Sequence, residues 1–409
     1  MKPVAGTWLR EGEPTVNSTL KRSLRRIERA LLAGKRTQDV LIPLRNELMY
    51  ANMKPILERL RGDRRLRLWI CLTARERFLP ANLRRIRREL GGARMISYRI
   101  AEYVKWDLIL TAEQTLYFRR DCPMIYTGHS LKSGKLNPAG DSMKYGAPSR
   151  HEDGTIKYAR IFCANEHEFR TVKDHFPDHA PRVRVVGNLL VDQMLTAGDQ
   201  RDAILRRLGL DPRRRTLMVT STWRGDSLAQ SQGRELMDKL DDLLKRYNII
   251  VSFHQNNFVR EYSPDLDWRA EFAARDCPGL HILRQNETSL ACLPAADVLL
   301  TDHTSTSLYY LFLNRPVVYY VHPNVRYDKG ALILELQKIA RTVDSLANLE
   351  ADIAAAETGF DPDAYARLAA KACSYAGHGW QRMEREIYDT LGLRPFSRLS
   401  QQQEDKVRV

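Results

Sequence analysis

The sequence of 409 residues lacks the features that mark several common protein classes. No apolar run approaches the length of about 20 residues that a membrane-spanning helix needs. The first residues, MKPVAGTWLREGEP, lack the apolar stretch of a secretory signal. The six cysteines form no CxxC pair and have no metal-ligand spacing, so they are expected to be buried free thiols. These absences favour a cytoplasmic protein without a zinc site.

The sequence also contains no P-loop and no GxGxxG motif. Its hydrophobic content of 43% is nevertheless high enough to build large cores, which excludes a disordered chain. A length of 409 residues is typical of two domains or three.

The positive charge is confined to one part of the chain. The sequence holds 65 Lys and Arg against 50 Asp and Glu, a formal net charge of +15. Residues 1–100 contain 24 basic and 9 acidic residues, so the whole excess lies there and the other 309 residues are neutral overall. A localised basic region indicates one positively charged face directed at phosphate groups of a membrane, a polyanion or a nucleic acid.

Two basic segments have the spacing of amphipathic helices. Apolar residues recur every three or four positions in Ser18–Gly34 and in Asn82–Leu90, with arginines between them. Such a helix can pack its apolar stripe on the protein core, or it can lie on an anionic membrane. We expect the arginines of the second segment to contribute to membrane binding: Arg84, Arg85, Arg87 and Arg88.

Short apolar runs alternate with helical stretches between about residues 40 and 320, which predicts α/β domains with parallel sheets. The predicted strands of the first half are Val40–Leu44, Leu66–Leu72, Arg94–Arg99, Asp107–Thr111, Met124–Tyr126, Arg160–Ala164 and Val183–Val186. Those of the second half are Leu217–Thr220, Ile249–Phe253, His281–Leu283, Val298–Thr301 and Val317–Val321. Two such sets predict two Rossmann-like, doubly wound domains facing a cleft, which is the GT-B architecture.

The domain boundaries follow from this pattern. We predict a first, acceptor-side domain over residues 1–191 and a linker over residues 192–215. A second, donor-side domain with C-terminal helices is expected over residues 216–392, and residues 393–409 form a polar tail.

Polar residues follow four of the predicted strands, where ligands bind in open parallel sheets. A loop with two glycines follows Met124–Tyr126 and carries one imidazole and two ammonium groups, which are suited to proton transfer and anion binding. The candidates in this loop are Thr127, His129, Lys132 and Lys135. The candidates after the second-domain strands are Thr222, Trp223, Arg224, His254, Asp302, His303, Thr304, Ser305, Thr306 and Ser307. The hydroxyls at 304–307 open a predicted helix, a favourable place for a diphosphate.

Over roughly residues 120–325 the chain resembles the CDP-glycerol glycerophosphotransferase family of teichoic acid and capsule polymer enzymes. The matching motifs, each at a strand end, are Asp302-His303-Thr304-Ser305 with Asn314-Arg315-Pro316, Ser221-Thr222-Trp223-Arg224, His254-Gln255 and Gly187-Asn188-Leu189-Leu190-Val191-Asp192. The chain departs from the family pattern at two places. The family's catalytic His falls on Thr127, with His129 two positions later, and a family Asp is Tyr309 here.

The resemblance implies a GT-B transferase, peripherally bound to the inner face of the cell membrane, that moves an alditol phosphate from a CDP-activated donor to a hydroxyl and releases CMP. The acceptor would be a cell-surface glycan, a capsule polymer or a lipid-linked molecule. His129 and His254 would be catalytic, the residues at 222–224 and 302–307 would bind the donor, and Thr127, Lys132 and Lys135 would serve the acceptor or an anion. No cofactor, obligatory metal or nucleic-acid partner is expected.

Two other functions are compatible with the sequence. A GT-B glycosyltransferase using a nucleotide sugar would need the same phosphate site. A non-catalytic polyanion-binding protein would use the basic first quarter, but it would leave the polar clusters after the strands without a role.

Overall fold

A computed structural model gives the fold of the chain. It describes residues 37–74, 80–114, 116–128, 130, 131, 134, 145–196, 200–275, 277–284, 287–328 and 330–396. The predicted basic helix Ser18–Gly34 and the candidates His129, Lys132 and Lys135 lie outside these residues.

The first half of the chain forms a parallel sheet of seven strands in the order β3-β2-β1-β4-β5-β6-β7. Its strands are β1 Gln38–Leu44, β2 Leu66–Leu72, β3 Arg94–Ser97, β4 Leu108–Thr111, β5 Met124–Tyr126, β6 Arg160–Cys163 and β7 Val183–Val185. The first strand, β1, lies inside the sheet. Strands β2 and β3 extend the sheet from β1 to one edge, and β4 to β7 extend it from β1 to the other edge. This order is that of a doubly wound fold.

The second half forms a parallel sheet of six strands in the order β10-β9-β8-β11-β12-β13. Its strands are β8 Arg215–Ser221, β9 Tyr247–Phe253, β10 Leu280–Ile282, β11 Val298–Thr301, β12 Val317–Tyr320 and β13 Arg341–Val343. The two sheets confirm the predicted α/β class and the two Rossmann-like units. The point at which the order reverses lies between β8 and β11, so ligands are expected at their carboxyl ends.

Helices connect the strands and cover the sheets. In the first half they are Glu47–Leu60, Pro80–Glu89, Tyr98–Ala101, Glu166–His175 and Leu189–Thr196. In the second half they are Arg201–Arg207, Leu228–Ser231, Gly233–Leu243, Trp268–Ala273, Ser289–Cys292, Thr306–Tyr310, Leu332–Ile339, Leu349–Thr358, Pro362–Ala372 and Gly379–Thr390.

Both faces of each sheet are buried, which explains why the strands are continuous apolar runs. In β1, Val40 and Ile42 join one apolar cluster and Leu41 joins the cluster on the opposite face. In β8, Leu217 and Met218 divide between two clusters in the same way. The alternation follows from the period of two residues in a strand.

Every predicted strand corresponds to an observed one whose ends lie within two residues of the prediction, and the edge strands β3 and β13 need comment. The predicted strand Arg94–Arg99 ends at Ser97, because a short helix begins at Tyr98. The edge strand β13 has no counterpart in the prediction. It is only three residues long and two of its residues are exposed, so it carries no apolar pattern.

The last helix, Gly379–Thr390, lies on the first sheet, although the sequence pattern grouped it with the second domain. Met383, Ile387 and Tyr388 belong to the apolar cluster that covers β1 and β2. The Tyr388 hydroxyl donates to the Asp63 carboxylate at 2.8 Å. Burial of each apolar side chain of this helix, such as Met383 or Ile387, stabilises the fold by about 2 kcal/mol. The chain therefore returns to the first domain after completing the second.

The predicted basic segment Asn82–Leu90 lies on the helix Pro80–Glu89, and its apolar stripe belongs to the core. Ile86 and Leu90 are buried in the cluster beside β1 and β2. Arg85 donates to Glu47 at 2.7 Å, whereas Arg84, Arg87 and Arg88 are exposed. Because the apolar stripe is occupied, this helix can offer a membrane only its charge. Within the described residues, no helix is long and apolar enough to cross a bilayer.

The glycine loop after β5 contacts the second domain. The Gly134 carbonyl accepts a hydrogen bond from the Asp328 N–H at 2.8 Å. Gly134 has a φ of +78°, and a Cβ added to it would lie 2.3 Å from the Ala331 Cβ. Only a residue without a side chain fits between the domains at this point.

We expect Gly134→Ala to lower the melting temperature more than the matched change Gly154→Ala. Both glycines have a positive φ (+78° and +81°), so the backbone cost of alanine is roughly 1 kcal/mol at each position. Only at Gly134 would the new Cβ also collide with another residue, since Gly154 has nothing within 4 Å. Thermal unfolding of the two variants measures the difference, and equal shifts would contradict the described interdomain contact.

Candidate active site

The candidates of the second domain come together at one edge of its sheet. β8 lies between β9 and β11, and all three strands are parallel. Their carboxyl ends therefore bring three segments side by side: Thr222–Arg224 after β8, His254 after β9 and Asp302–Ser307 after β11. The candidates in the loop after β5 belong to the other domain.

Asp302 holds two of these segments in place. Its carboxylate is fully buried and accepts hydrogen bonds from the Ser221 hydroxyl at 2.7 Å and from the Leu228 N–H at 2.9 Å. It also accepts from the N–H groups of Thr222 and Thr304, each at 3.1 Å. A buried carboxylate is stable only when such donors compensate its lost hydration. Asp302, which the sequence predicts to bind the donor, therefore holds the loop after β8 and the turn after β11 in place.

Asn257 also holds the loop after β8 in place. Its amide donates to the Thr222 carbonyl at 2.7 Å and its side-chain oxygen accepts from Gln230 at 2.7 Å. Within this loop, the Ser227 hydroxyl donates to the Arg224 carbonyl at 2.7 Å. Arg224 has a φ of +97°, which is an unusual conformation for a residue with a side chain. Neighbouring contacts that overdetermine such a conformation are common at functional sites.

Aromatic rings stack around His254. Trp223 lies nearly parallel to the His254 ring, with ring centroids 5.8 Å apart. Tyr262 meets Trp223 edge to face at 5.3 Å, and the Arg224 guanidinium lies 5.8 Å from the Trp223 ring centroid. The stacked rings fix the orientation of the imidazole, and Arg224 adds a positive charge near the Trp223 ring.

His254 is a neutral hydrogen-bond donor at physiological pH. Burial lowers the pKa of its imidazole to about 4. Its Nδ1 accepts the Asn256 N–H at 3.2 Å, so the neutral ring carries its proton on Nε2. The ring can therefore donate from Nε2 to an anionic oxygen.

The residues after Asp302 form a short hydroxyl-rich turn that leads into the helix Thr306–Tyr310. Thr304, Ser305 and Thr306 are partly buried, and Ser305 precedes the helix without capping it by its side chain. The Ser307 hydroxyl is fully buried and donates back to the Thr304 carbonyl at 2.8 Å. Three of the predicted hydroxyls thus remain at the sheet edge, and the fourth stabilises the turn.

His303 turns towards the loop after β8. It is only 3% exposed, and its Nε2 lies 3.5 Å from the Asp226 carboxylate. Among the described residues, this Nε2 has no hydrogen-bond partner. The structure therefore pairs His303 with a residue that sequence reasoning had not selected. Asp226, Asn257 and Tyr262 were all missed, because nothing in their local sequence indicates that they meet the strand ends.

Thr127, at the end of β5, points into the first domain. Its hydroxyl lies 3.2 Å from the Thr111 carbonyl and 3.4 Å from the Met53 sulfur. These contacts anchor the start of the glycine loop.

Comparison with known proteins places the chain in a family. The model of the family described as CDP-Glycerol:Poly(glycerophosphate) glycerophosphotransferase matches residues 148–379, more than half of the chain. The chain belongs to this family. The match includes every second-domain strand end described above and confirms the resemblance read from the motifs.

A curated relative agrees with this assignment. The teichoic acid poly(glycerol phosphate) polymerase of Staphylococcus epidermidis is 26% identical over 186 residues, which are 43% of this chain and 24% of the polymerase. The chain thus matches about a quarter of that relative's length.

The structural neighbours share the fold. A variant of the wall teichoic acid polymerase TagF aligns with a TM-score of 0.62 and 15% identity, over 96% of this chain and 100% of that structure. The S. aureus MnaA–UDP complex aligns with a TM-score of 0.56 and 14% identity, over 88% of this chain and 98% of that structure. These alignments confirm the predicted GT-B fold.

We expect His254 to remain neutral down to about pH 5, since its pKa is lowered to about 4. In the unfolded chain a histidine titrates near pH 6.5, so between about pH 6.5 and 4 the unfolded state binds the proton first. This histidine should therefore reduce the stability of the fold as the pH falls through that window. NMR of ¹³C-histidine-labelled protein, with His254→Gln to assign the signal, measures the titration; a midpoint near 6.5 would contradict the burial of the ring.

Proposed function

We propose that this protein transfers glycerol phosphate, or a related alditol phosphate, from a CDP-activated donor to an acceptor hydroxyl and releases CMP. One observation carries the proposal: a chain of the glycerophosphotransferase family places Arg224, the His254 imidazole and the hydroxyls of Thr304–Thr306 after three adjacent strands. This edge is where an open parallel sheet binds a nucleotide.

The proposed reaction is an in-line displacement at phosphorus. The acceptor oxygen attacks the alditol-side phosphorus of the diphosphate and forms a new phosphodiester bond. The bond between that phosphorus and the bridging oxygen breaks, and CMP leaves with the bridging oxygen. The acceptor's proton passes to His129, the base indicated by the sequence, although this residue lies outside the described part of the chain. Positioning and charge stabilisation supply most of the catalysis in phosphoryl transfer.

The described residues would stabilise the diphosphate as its negative charge shifts towards CMP. Arg224 supplies a full positive charge, and the neutral His254 supplies an N–H donor from Nε2. Hydroxyls of Thr304, Ser305 and Thr306 add neutral donors. Among the described residues, no group of three or more His, Cys, Asp or Glu side chains is arranged to hold a metal ion. We propose that protein donors neutralise the diphosphate without an obligatory metal.

A panel of donors tests this function. The purified protein is incubated with CDP-glycerol, CDP-ribitol, a UDP-sugar or a CMP-sugar, together with a short poly(glycerol phosphate) acceptor, and released nucleotides are measured by mass spectrometry. We expect CMP from a CDP-alditol and extension of the acceptor by one alditol phosphate. Release of UDP from a UDP-sugar would support a glycosyltransferase instead, and the absence of CMP from both CDP-alditols would refute the proposal.

His254 variants serve as internal controls for this panel. His254→Ala removes the Nε2–H donor and is expected to lower turnover by roughly 100-fold or more, the usual cost of losing a donor to a developing charge. His254→Gln retains an N–H donor at a similar distance and should lose less. Normal turnover in His254→Ala would remove this residue from the proposed site.

We further propose that the exposed arginines of the helix Pro80–Glu89 hold the protein against an anionic membrane, close to a lipid-linked or polymeric acceptor. Arg84, Arg87 and Arg88 are exposed, whereas Arg85 is paired with Glu47 and Glu89. Each exposed basic residue near such a surface contributes about 1 kcal/mol of attraction.

Replacing Arg84, Arg87 and Arg88 by Gln should weaken binding to vesicles that contain phosphatidylglycerol, roughly 10-fold or more. The matched control replaces three exposed arginines outside the first domain, Arg206, Arg260 and Arg367, and removes the same charge. Vesicle sedimentation measures the binding. Equal losses in both triple variants would indicate a net-charge effect, and the membrane face would then not be the helix Pro80–Glu89.

A further inference from the structure

The helix Thr306–Tyr310 connects the donor-side hydroxyls to the loop of the other domain. The turn that opens it carries Thr304–Thr306, and Tyr309 follows within one helical turn. Tyr309 is 2% exposed, and its phenol oxygen lies at the junction of three segments. The sequence of this chain has a phenol where the family resemblance led us to expect a carboxylate.

The Tyr309 phenol oxygen accepts two hydrogen bonds from residues of the first domain. The backbone N–H of Leu131, in the glycine loop after β5, donates to it at 3.1 Å. The side-chain amide of Asn188 donates at 3.2 Å. The oxygen of the same Asn188 side chain accepts from the Leu190 N–H at 3.0 Å, which fixes the orientation of the amide.

These contacts bind the loop at its centre. Leu131 is buried and packs with second-domain residues, and further along the loop Gly134 is held by Asp328. The loop therefore leaves the first domain after Thr127 and lies against the second domain at Leu131 and Gly134. Its position relative to the donor-side residues depends on the Leu131 and Gly134 contacts.

We propose that Tyr309 is a positioning residue, which sets the place of the glycine loop by accepting the Leu131 N–H and so aligns the loop's acceptor chemistry with the donor. The inference rests on the proposed function, because the loop carries His129, the base indicated by the sequence. A shift of a reacting group by about 1 Å can reduce a rate by 100-fold, so one hydrogen bond to the loop is enough to matter.

The experiment compares Tyr309→Phe with Tyr310→Phe. Each change removes one buried hydroxyl and leaves the ring in place. The Tyr310 hydroxyl donates to the Ala296 carbonyl at 3.1 Å, within the second domain and away from the loop. We expect Tyr309→Phe to lower kcat for CMP release roughly 10-fold or more while KM for CDP-glycerol changes less than about 2-fold. Tyr310→Phe should leave kcat within about 2-fold.

Hydrogen exchange gives a readout that does not depend on activity. In Tyr309→Phe, peptides that contain Leu131 should exchange faster than in the unaltered protein, whereas Tyr310→Phe should leave them unchanged. Equal exchange in the two variants, or equal kcat at comparable melting temperatures, would overturn the positioning role. If the unaltered protein releases no CMP from any donor, the proposed function fails, and exchange at Leu131 then still decides whether Tyr309 holds the loop.

Discussion

The buried carboxylate of Asp302 is the interaction on which the candidate site depends. A charge without access to water is tolerated only when fixed donors surround it, and Asp302 obtains them from Ser221, Thr222, Leu228 and Thr304. Because the Asp302 carboxylate needs these donors, the loop after β8 and the turn after β11 both pack against it. The same two segments carry Trp223, Arg224 and the partly buried hydroxyls of residues 304–306. The positions of these groups therefore follow from the contacts of Asp302. The conformation of the site is thus determined by a residue that offers no free group to a ligand.

A second constraint is the close approach of the two domains. The Asp192 carboxylate accepts the backbone N–H groups of Gly377 and Gly379, just before the chain returns to the first sheet. Gly187 lies so near this segment that an added Cβ would be 2.7 Å from the Ser374 carbonyl. The Gly187–Asp192 motif therefore holds the crossing between domains. Together with the Gly134 and Tyr309 contacts, it joins the two domains through hydrogen bonds that each involve a backbone N–H or C=O group.

The charge of the chain and the chemistry of the site are separate features. The candidate site offers one arginine, one neutral imidazole and several hydroxyls, all in the part of the sequence that is neutral overall. Of the basic helix near residue 85, the structure leaves three arginines exposed and pairs the fourth. The apolar stripe that would have allowed membrane insertion belongs to the core, so the spacing of Ile86 and Leu90 reflects packing.

The sequence alone determined the class of fold and most of the candidate residues at the carboxyl ends of the second-domain strands. Strands buried on both faces are continuous apolar runs, and polar residues directly after them must meet where parallel strands end, so Trp223, His254 and Asp302 could be selected from local pattern. What the local pattern could not show was the partner of each side chain. The contacts of Asp302 with Leu228, of His303 with Asp226 and of the Tyr309 phenol with the Leu131 N–H each join residues 74 to 178 positions apart. Such pairings arise only when helices and sheets pack, because packing decides which polar groups lose water and must find each other. The last helix returned to the first domain for the same reason: its apolar face fits a surface that no local signal describes.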